Sequence, residues 1–233
     1  MAGPVLLDSE RPVFPDPEST LGTPDGLLAI GGNLSTDTLL SAYSCGIFPW
    51  YESGQPILWW SPGTRAVIYP NKLVVSRSLR KVLRQTAWQI TTNQAFHAVI
   101  RACAAPRAYS DGTWITEQMI KSYCKLNHEG HAHSIEVWLN QELVGGLYGV
   151  AVGGVFCGES MFSTVSNASK VAMIYLDKLC QQRGFELIDC QLPNPHLQSL
   201  GAQTITRAQF LLQFSQLKKK QCRWPDTLDS ITV

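Results

Sequence analysis

From Ala132 onward the sequence alternates apolar and polar residues in three blocks, "HSIEVW", "ELVGGLYGVAV" and "VFCGESMF", parted only by Asn140 with Gln141 and by Gly153 with Gly154. A period of two places successive side chains on opposite faces, and turn residues so closely spaced make hairpins. The stretch is expected to form a three-stranded antiparallel meander. A helical pattern over 167–183, closed by Gly184, comes next, followed by the strand "FELIDCQL", a short helix near 195–200 and an amphipathic helix through "RAQFLLQFSQLKKK". That order implies an α/β or α+β sheet with helices packed on its faces.

Upstream, the first 63 residues are rich in Pro and Gly and carry one clear helix, "NLSTDTLLSAYSCG", with Ser35 as N-cap, Leu39, Leu40 and Tyr43 on one face and Gly46 as its stop. A small N-terminal lobe over 1–63 and a larger body over 64–233 are expected. Phe48, Trp50, Tyr51, Trp59 and Trp60 close the lobe, either as its own aromatic core or as the wall of an apolar pocket at the junction. The larger body opens with a strand at "AVIYP", and helices are expected over 76–85, 94–104 and 116–128.

Net charge is only +1 over 233 residues, yet it is unevenly spread: 1–63 sum to −6 and 64–233 to +7. Between Glu52 and Asp111 there is no acid, while Arg65, Lys72, Arg77, Arg80, Lys81, Arg84, Arg101 and Arg107 all fall there. A stretch of one sign points to a polyanionic partner. In the helix over 76–85, Arg77, Arg80, Lys81 and Arg84 recur at helical spacing with Leu79, Val82 and Leu83 opposite. An ordinary solvated face and a nucleic-acid contact both fit that stripe.

The longest apolar runs are too short, charged or broken by Gly to span a bilayer, and "MAGPVLLDSERP" lacks the form of a secretory leader, so a soluble cytoplasmic protein is expected. Seven scattered cysteines, never as C-x-x-C, suggest neither a disulfide framework nor a zinc ribbon. "HEGHAH", with His128, His131 and His133, reads as a solvated turn rather than a metal site. Neither a metal nor a cofactor is expected.

Two constellations carry candidate chemistry. In "FELIDCQL" the pleat puts Asp189 and Gln191 on one face with Phe185 and Leu187, and Glu186, Ile188 and Cys190 on the other. A buried carboxylate is costly unless held by hydrogen bonds, so Asp189 is either a satisfied structural group or part of a ligand site at the strand's end. In "FCGESMFS", Gly158 alone in a strand pattern signals a bulge that aims Phe156, Glu159 and Met161 into a common space. "GES" lacks the second glycine and the following helix of a serine nucleophile elbow, and Cys157 and Cys190 have no histidine nearby in sequence.

Taken together, "GLLAIGGNLS", "AYSCGIFPWY", "PILWWSP", "GTWIT", "AHSIEVW", "LVGGLYGV", "FCGESMFS", "NASK" and "LIDCQLPNPHLQSLGA" resemble the bacterial leucyl/phenylalanyl-tRNA-protein transferases over roughly residues 14–211. The resemblance implies a monomeric, cytoplasmic enzyme moving Leu or Phe, or Met, from aminoacyl-tRNA to the α-amino group of proteins starting with Arg or Lys, which marks them for N-end-rule degradation. It also implies a larger domain of N-acetyltransferase (GNAT) fold and no cofactor. An aminoacyl ester is already activated, so transfer needs alignment and a neutral amine rather than a protein nucleophile. By resemblance, Gln191 accepts a proton from, or holds, the acceptor's α-ammonium, Asp189 polarises Gln191 and Glu159 binds the acceptor, with the final proton acceptor left open. Tyr43, Trp50, Trp114, Tyr123, Leu147, Phe156 and Met161 form the aminoacyl pocket, with Leu147 standing where some relatives have Met. The tRNA would lie on Arg77, Arg80, Lys81 and Arg84, with Lys218, Lys219 and Lys220 as a further contact. Two other functions fit less well: a CoA-dependent N-acyltransferase, for which "STVSNASKVAM" lacks the pyrophosphate-binding glycines, and a non-catalytic RNA-binding module.

Overall fold

The computed structural model describes residues 3–19, 24–105 and 113–225. Arg107, part of the acid-free stretch, lies outside the described residues. The first sheet has four short strands, β1 (Val5–Leu7), β2 (Leu27–Gly31), β3 (Phe48–Pro49) and β4 (Leu58–Trp60), in the order β1-β2-β4-β3. Between β2 and β3 runs helix α1 (Thr36–Ser44), whose N-cap Ser35 accepts from the Thr38 amide at 3.3 Å, as its sequence implies.

The second sheet is built from seven strands: β5 (Thr64–Ile68), β6 (Gln89–Thr92), β7 (Ala132–Leu139), β8 (Glu142–Val152), β9 (Val155–Ser163), β10 (Leu187–Asp189) and β11 (Gln203–Thr206). Their order is β11-β5-β10-β9-β8-β7-β6, antiparallel throughout except that β10 runs parallel to β9. The meander is β7, β8 and β9, and its first turn takes Asn140 and Gln141 through positive φ of 50° and 66°. Helices α2 (Arg77–Gln85), α3 (Phe96–Ala104), α4 (Glu117–His128), α5 (Ala168–Arg183), α6 (Pro195–Ser199) and α7 (Arg207–Leu217) complete the chain among the described residues. The α/β (α+β) class expected from the sequence is the class observed.

Alternation along β8 sends side chains into two cores. Tyr148 and Val150 pack with Phe96, Val99 and Ile100 of α3 and Ile120 and Tyr123 of α4. Leu147 packs on the opposite face with Val171, Ala172 and Leu176 of α5. The same core takes in Leu39 and Tyr43 of α1 and Trp59 of β4, which are all buried. Packing of α1 against the larger sheet is what brings Tyr43 to the site.

Strands β6 and β11 were not expected. Both are edges, and "QTIT" in β11 is largely exposed, so no alternation of burial marks it; pairing to β5 supplies its register. The "FELIDCQL" strand is shorter than its pattern: β10 ends at Asp189, and Gln191 turns through φ +55°. The two polar residues therefore do not share a pleat face.

Candidate active site

Strand β9 carries one extra residue against β8. Tyr148 pairs with Ser160 and Gly149 with Gly158, leaving Glu159 unmatched. This is the bulge expected at Gly158, and it turns Glu159 toward the cavity wall that Phe156 and Met161 also line. The cavity encloses about 410 Å³. Trp114, Leu147, Phe156, Met161, Met173, Leu176, Ile188 and Leu197 supply its apolar surface, while Glu159, Ser160, Gln191, Asn194 and His196 supply polar groups.

Asp189 does not reach this cavity. It is fully buried, and its two oxygens accept from Arg65 Nε at 2.8 Å and from the second guanidinium nitrogen at 2.7 Å. Arg65 is 2% exposed and lies between the rings of Phe48 and Phe210, at 4.9 and 4.4 Å from their centroids. Thus Arg65 is a core group bound to a carboxylate, which corrects its place among cations facing a polyanion. Asp189 Oδ1 also accepts from the Gln191 backbone amide at 3.0 Å. The Gln191 carbonyl accepts from Ala66 N–H at 2.9 Å, and Cys190 N–H donates to the Ala66 carbonyl at 2.9 Å. Asp189 therefore fixes Gln191 through the main chain rather than polarising its amide directly, while the side chain of Gln191 lines the cavity.

Glu159 is the hub. Its Oε1 accepts from Tyr43 Oη at 2.6 Å and from Gln191 Nε2 at 3.4 Å, and its Oε2 accepts from Tyr123 Oη at 3.1 Å. The two phenol oxygens are themselves 2.5 Å apart. Burial pushes the Glu159 carboxyl up to about 7, against the two phenol hydrogen bonds that pull it down; the Asp189 charge raises it further and Arg65 lowers it. Burial, with the Glu159 charge next, holds Tyr43 and Tyr123 well above the ordinary phenol value.

Of the pocket residues named from the sequence, Trp114, Leu147, Phe156 and Met161 line the cavity. Tyr43 and Tyr123 are fully packed behind it and act on it through Glu159. Trp50 is a correction: it is 41% exposed, lies against Trp60 at 5.7 Å and is absent from the lining. Met173, Leu176, Ile188, Asn194, His196 and Leu197 were missed. The first two sit three apart on α5 and read only as its core face; the rest depend on where β10 stops.

Arg77, Arg80, Lys81 and Arg84 are exposed together along α2 around a shallow hollow of about 420 Å³, and none is in an ion pair among the described residues. Three other cations of the basic stretch and tail are engaged. Arg101 pairs with Glu117 at 2.7 Å, Lys218 Nζ donates to the Ser44 carbonyl at 2.9 Å, and Lys220 pairs with Glu186. His133 is buried rather than solvated, which corrects the reading of "HEGHAH"; desolvation pushes it down to about 4, so it is neutral. Among the described residues no three His, Cys, Asp or Glu side chains gather as a metal site. Burial holds the Cys157 and Cys190 thiols protonated, so neither offers a thiolate nucleophile. No described helix is long and apolar enough to cross a membrane.

The site thus sets apolar side chains beside a carboxylate and an amide in one cavity of a mixed sheet, an arrangement that can hold an apolar side chain next to a cationic group. The family model described as leucyl/phenylalanyl-tRNA protein transferase matches residues 67–215, and that of its N-terminal domain matches 32–63. The leucyl/phenylalanyl-tRNA–protein transferase of Azotobacter vinelandii is 58% identical over 197 residues, covering 84% of this chain and 87% of the relative. That of Shewanella pealeana is 54% identical over 212 residues, covering 91% and 90%. This chain belongs to the leucyl/phenylalanyl-tRNA–protein transferase family and is an aminoacyltransferase, with an aminoacyl-tRNA donor and a protein acceptor. Among solved structures, L-PGS from Bacillus licheniformis aligns at 12% identity over 72% of this chain and 54% of that chain, with a TM-score of 0.40, too loose a likeness to inform function.

Proposed function

We propose that the protein transfers Leu, Phe or Met from aminoacyl-tRNA to the α-amino group of proteins starting with Arg or Lys, and that the cavity holds the donor's side chain. The observation that carries this reading is the cavity of about 410 Å³ whose lining sets Leu147, Phe156, Met161, Met173 and Leu176 together with Glu159 and Gln191. A slot that reads apolar bulk separates neighbouring side chains by only about 1–3 kcal/mol per methylene, which suits several apolar residues. Gln191 lies at its polar end, where its carboxamide meets the acceptor's α-ammonium. The α-ammonium first gives one proton to solvent; the neutral amine then attacks the ester carbonyl, the new C–N bond forms, and the ester C–O bond breaks as the ribose oxygen leaves with the second amine proton. Asp189 is a positioning residue in this scheme, with Arg65, because both act through the Gln191 backbone. Glu159, ionised, is the group that meets the cationic acceptor.

Phosphates of the donor lie along Arg77, Arg80, Lys81 and Arg84, where contacts independent of sequence suffice. Residues 1–63 act as a small N-terminal domain that contributes Tyr43, and 64–233 as a GNAT-like catalytic domain, supported by the succession of meander, α5 and parallel β10. The enzyme works as a cytoplasmic monomer that tags proteins for N-end-rule degradation. A filter assay following labelled leucine from Leu-tRNA onto an Arg-starting protein tests the reading. Transfer to Arg- and Lys-starting acceptors, and none to the same protein with an acetylated N-terminus, is expected. Absence of transfer, or acetyl transfer from acetyl-CoA instead, would overturn it.

A further inference from the structure

Beyond α7, residues 218–225 stay packed against the sheet. Lys218 crosses the turn between β8 and β9 so closely that a Cβ on Gly153 would stand 2.5 Å from the Lys218 carbonyl carbon. Lys220 then pairs with Glu186, and Cys222 Sγ approaches the Gly184 carbonyl at 3.2 Å. The path brings Trp224 onto the α5 face of the large sheet. There its indole lies parallel to the His133 ring at 4.6 Å and 4°, and stacks on Phe156 at 5.1 Å and 27°. Phe185 meets it edge-on at 6.0 Å, and its Nε1 donates to Thr92 Oγ1 at 2.7 Å.

Phe156 is a wall of the donor cavity. Its ring covers Gly149, where an added Cβ would lie 2.7 Å from Cε1 and Cζ. The Phe156 ring therefore contacts both the Gly149 backbone and the Trp224 indole. We propose that Trp224 is a positioning residue that sets the depth of the cavity by holding Phe156 in place, so that a tail residue beyond the 67–215 family match governs which aminoacyl side chain fits. The inference rests on the reading of the cavity as the donor side-chain pocket. Without the indole, space opens beside Phe156 on the side away from the cavity. The ring swings into it and the slot deepens, which favours the longer, flat side chain over the short branched one.

The test is the ratio of kcat/KM for Phe-tRNA to that for Leu-tRNA in the full-length enzyme, measured for Trp224→Ala, Trp224→Leu, Trp224→Phe and Phe156→Ala. A loss of folded enzyme lowers both donors alike and leaves the ratio unmoved. The expected result is a shift toward Phe of about 10-fold in Trp224→Ala. Trp224→Leu should shift it less and Trp224→Phe, which keeps a stacked ring, should stay within about twofold of the parent. If Phe156→Ala changes the ratio but Trp224→Ala and Trp224→Leu do not, the role of Trp224 is wrong and the pocket stands. If Phe156→Ala leaves the ratio unchanged as well, the pocket reading itself fails. Trp224→Leu supplies the answer where Trp224→Ala yields too little folded protein.

Discussion

Arg65 and Asp189, 124 residues apart, form a bidentate ion pair inside the protein, with side chains 2% and 1% exposed, directly beneath the backbone of Gln191. Removing one partner leaves a buried charge unmatched, which typically destabilises by about 3–5 kcal/mol. Arg65→Met and Asp189→Ala should each lower stability by that order in a denaturant titration. The double variant Arg65→Met with Asp189→Leu should recover much of the stability, because apolar groups of similar size then fill the site. Its transfer rate should stay low, since the Gln191 amide has lost its acceptor. Recovery of activity along with stability would show that the pair serves the fold alone.

Glu159 gives the protein a pH dependence in a narrow range. Its carboxyl is raised from 4.5 to about 7, so the folded protein retains a proton that the unfolded chain releases. The stability linked to this group is present below about pH 4.5 and is lost as pH rises through about 7. Acceptor binding has the opposite trend, because only the ionised carboxylate attracts a cation. The affinity of an Arg-starting peptide, measured calorimetrically without donor, should tighten from pH 5.5 to 7.5. Glu159→Gln should bind it more weakly and with a flat profile. Should Glu159→Gln keep both the affinity and the slope, Glu159 has no part in acceptor binding.

The stripe on α2 predicts a salt-sensitive donor. Arg80→Glu with Arg84→Glu should raise the apparent KM for Leu-tRNA by about 10-fold or more, reduce the salt dependence of binding by about two phosphate contacts, and leave kcat near the parent value. Filter binding across a salt series measures both effects. An unchanged salt slope would return the stripe to an ordinary solvated face.

Much of the scaffold was legible because local chemistry determined it. Ser35, Ser76 and Thr116 each cap the helix that follows, Gly184 takes φ +79° at the end of α5, and Gly158 marked the bulge that presents Glu159. What stayed hidden depended on distant partners. Nothing near Arg65 in sequence distinguishes it from the exposed cations of α2, and only the folded sheet brings it to Asp189. The end of β10 was hidden for a related reason: the Cys190 and Gln191 backbone groups bond to Ala66, so the positive φ of Gln191 is imposed from β5 rather than by its own residue type. Trp50 went the other way, since an aromatic cluster in sequence does not say which ring turns outward.

Gln191, its backbone held by Asp189 and its side chain by Glu159, aligns the incoming amine in this mechanism. Single-turnover transfer of leucine from Leu-tRNA to an Arg-starting protein by Gln191→Ala tests it most directly. The transfer rate should fall by about 100-fold or more with donor affinity within about threefold of the parent, as expected when alignment is lost and binding is not. A rate within a few-fold of the parent, with the same donor affinity, would contradict it.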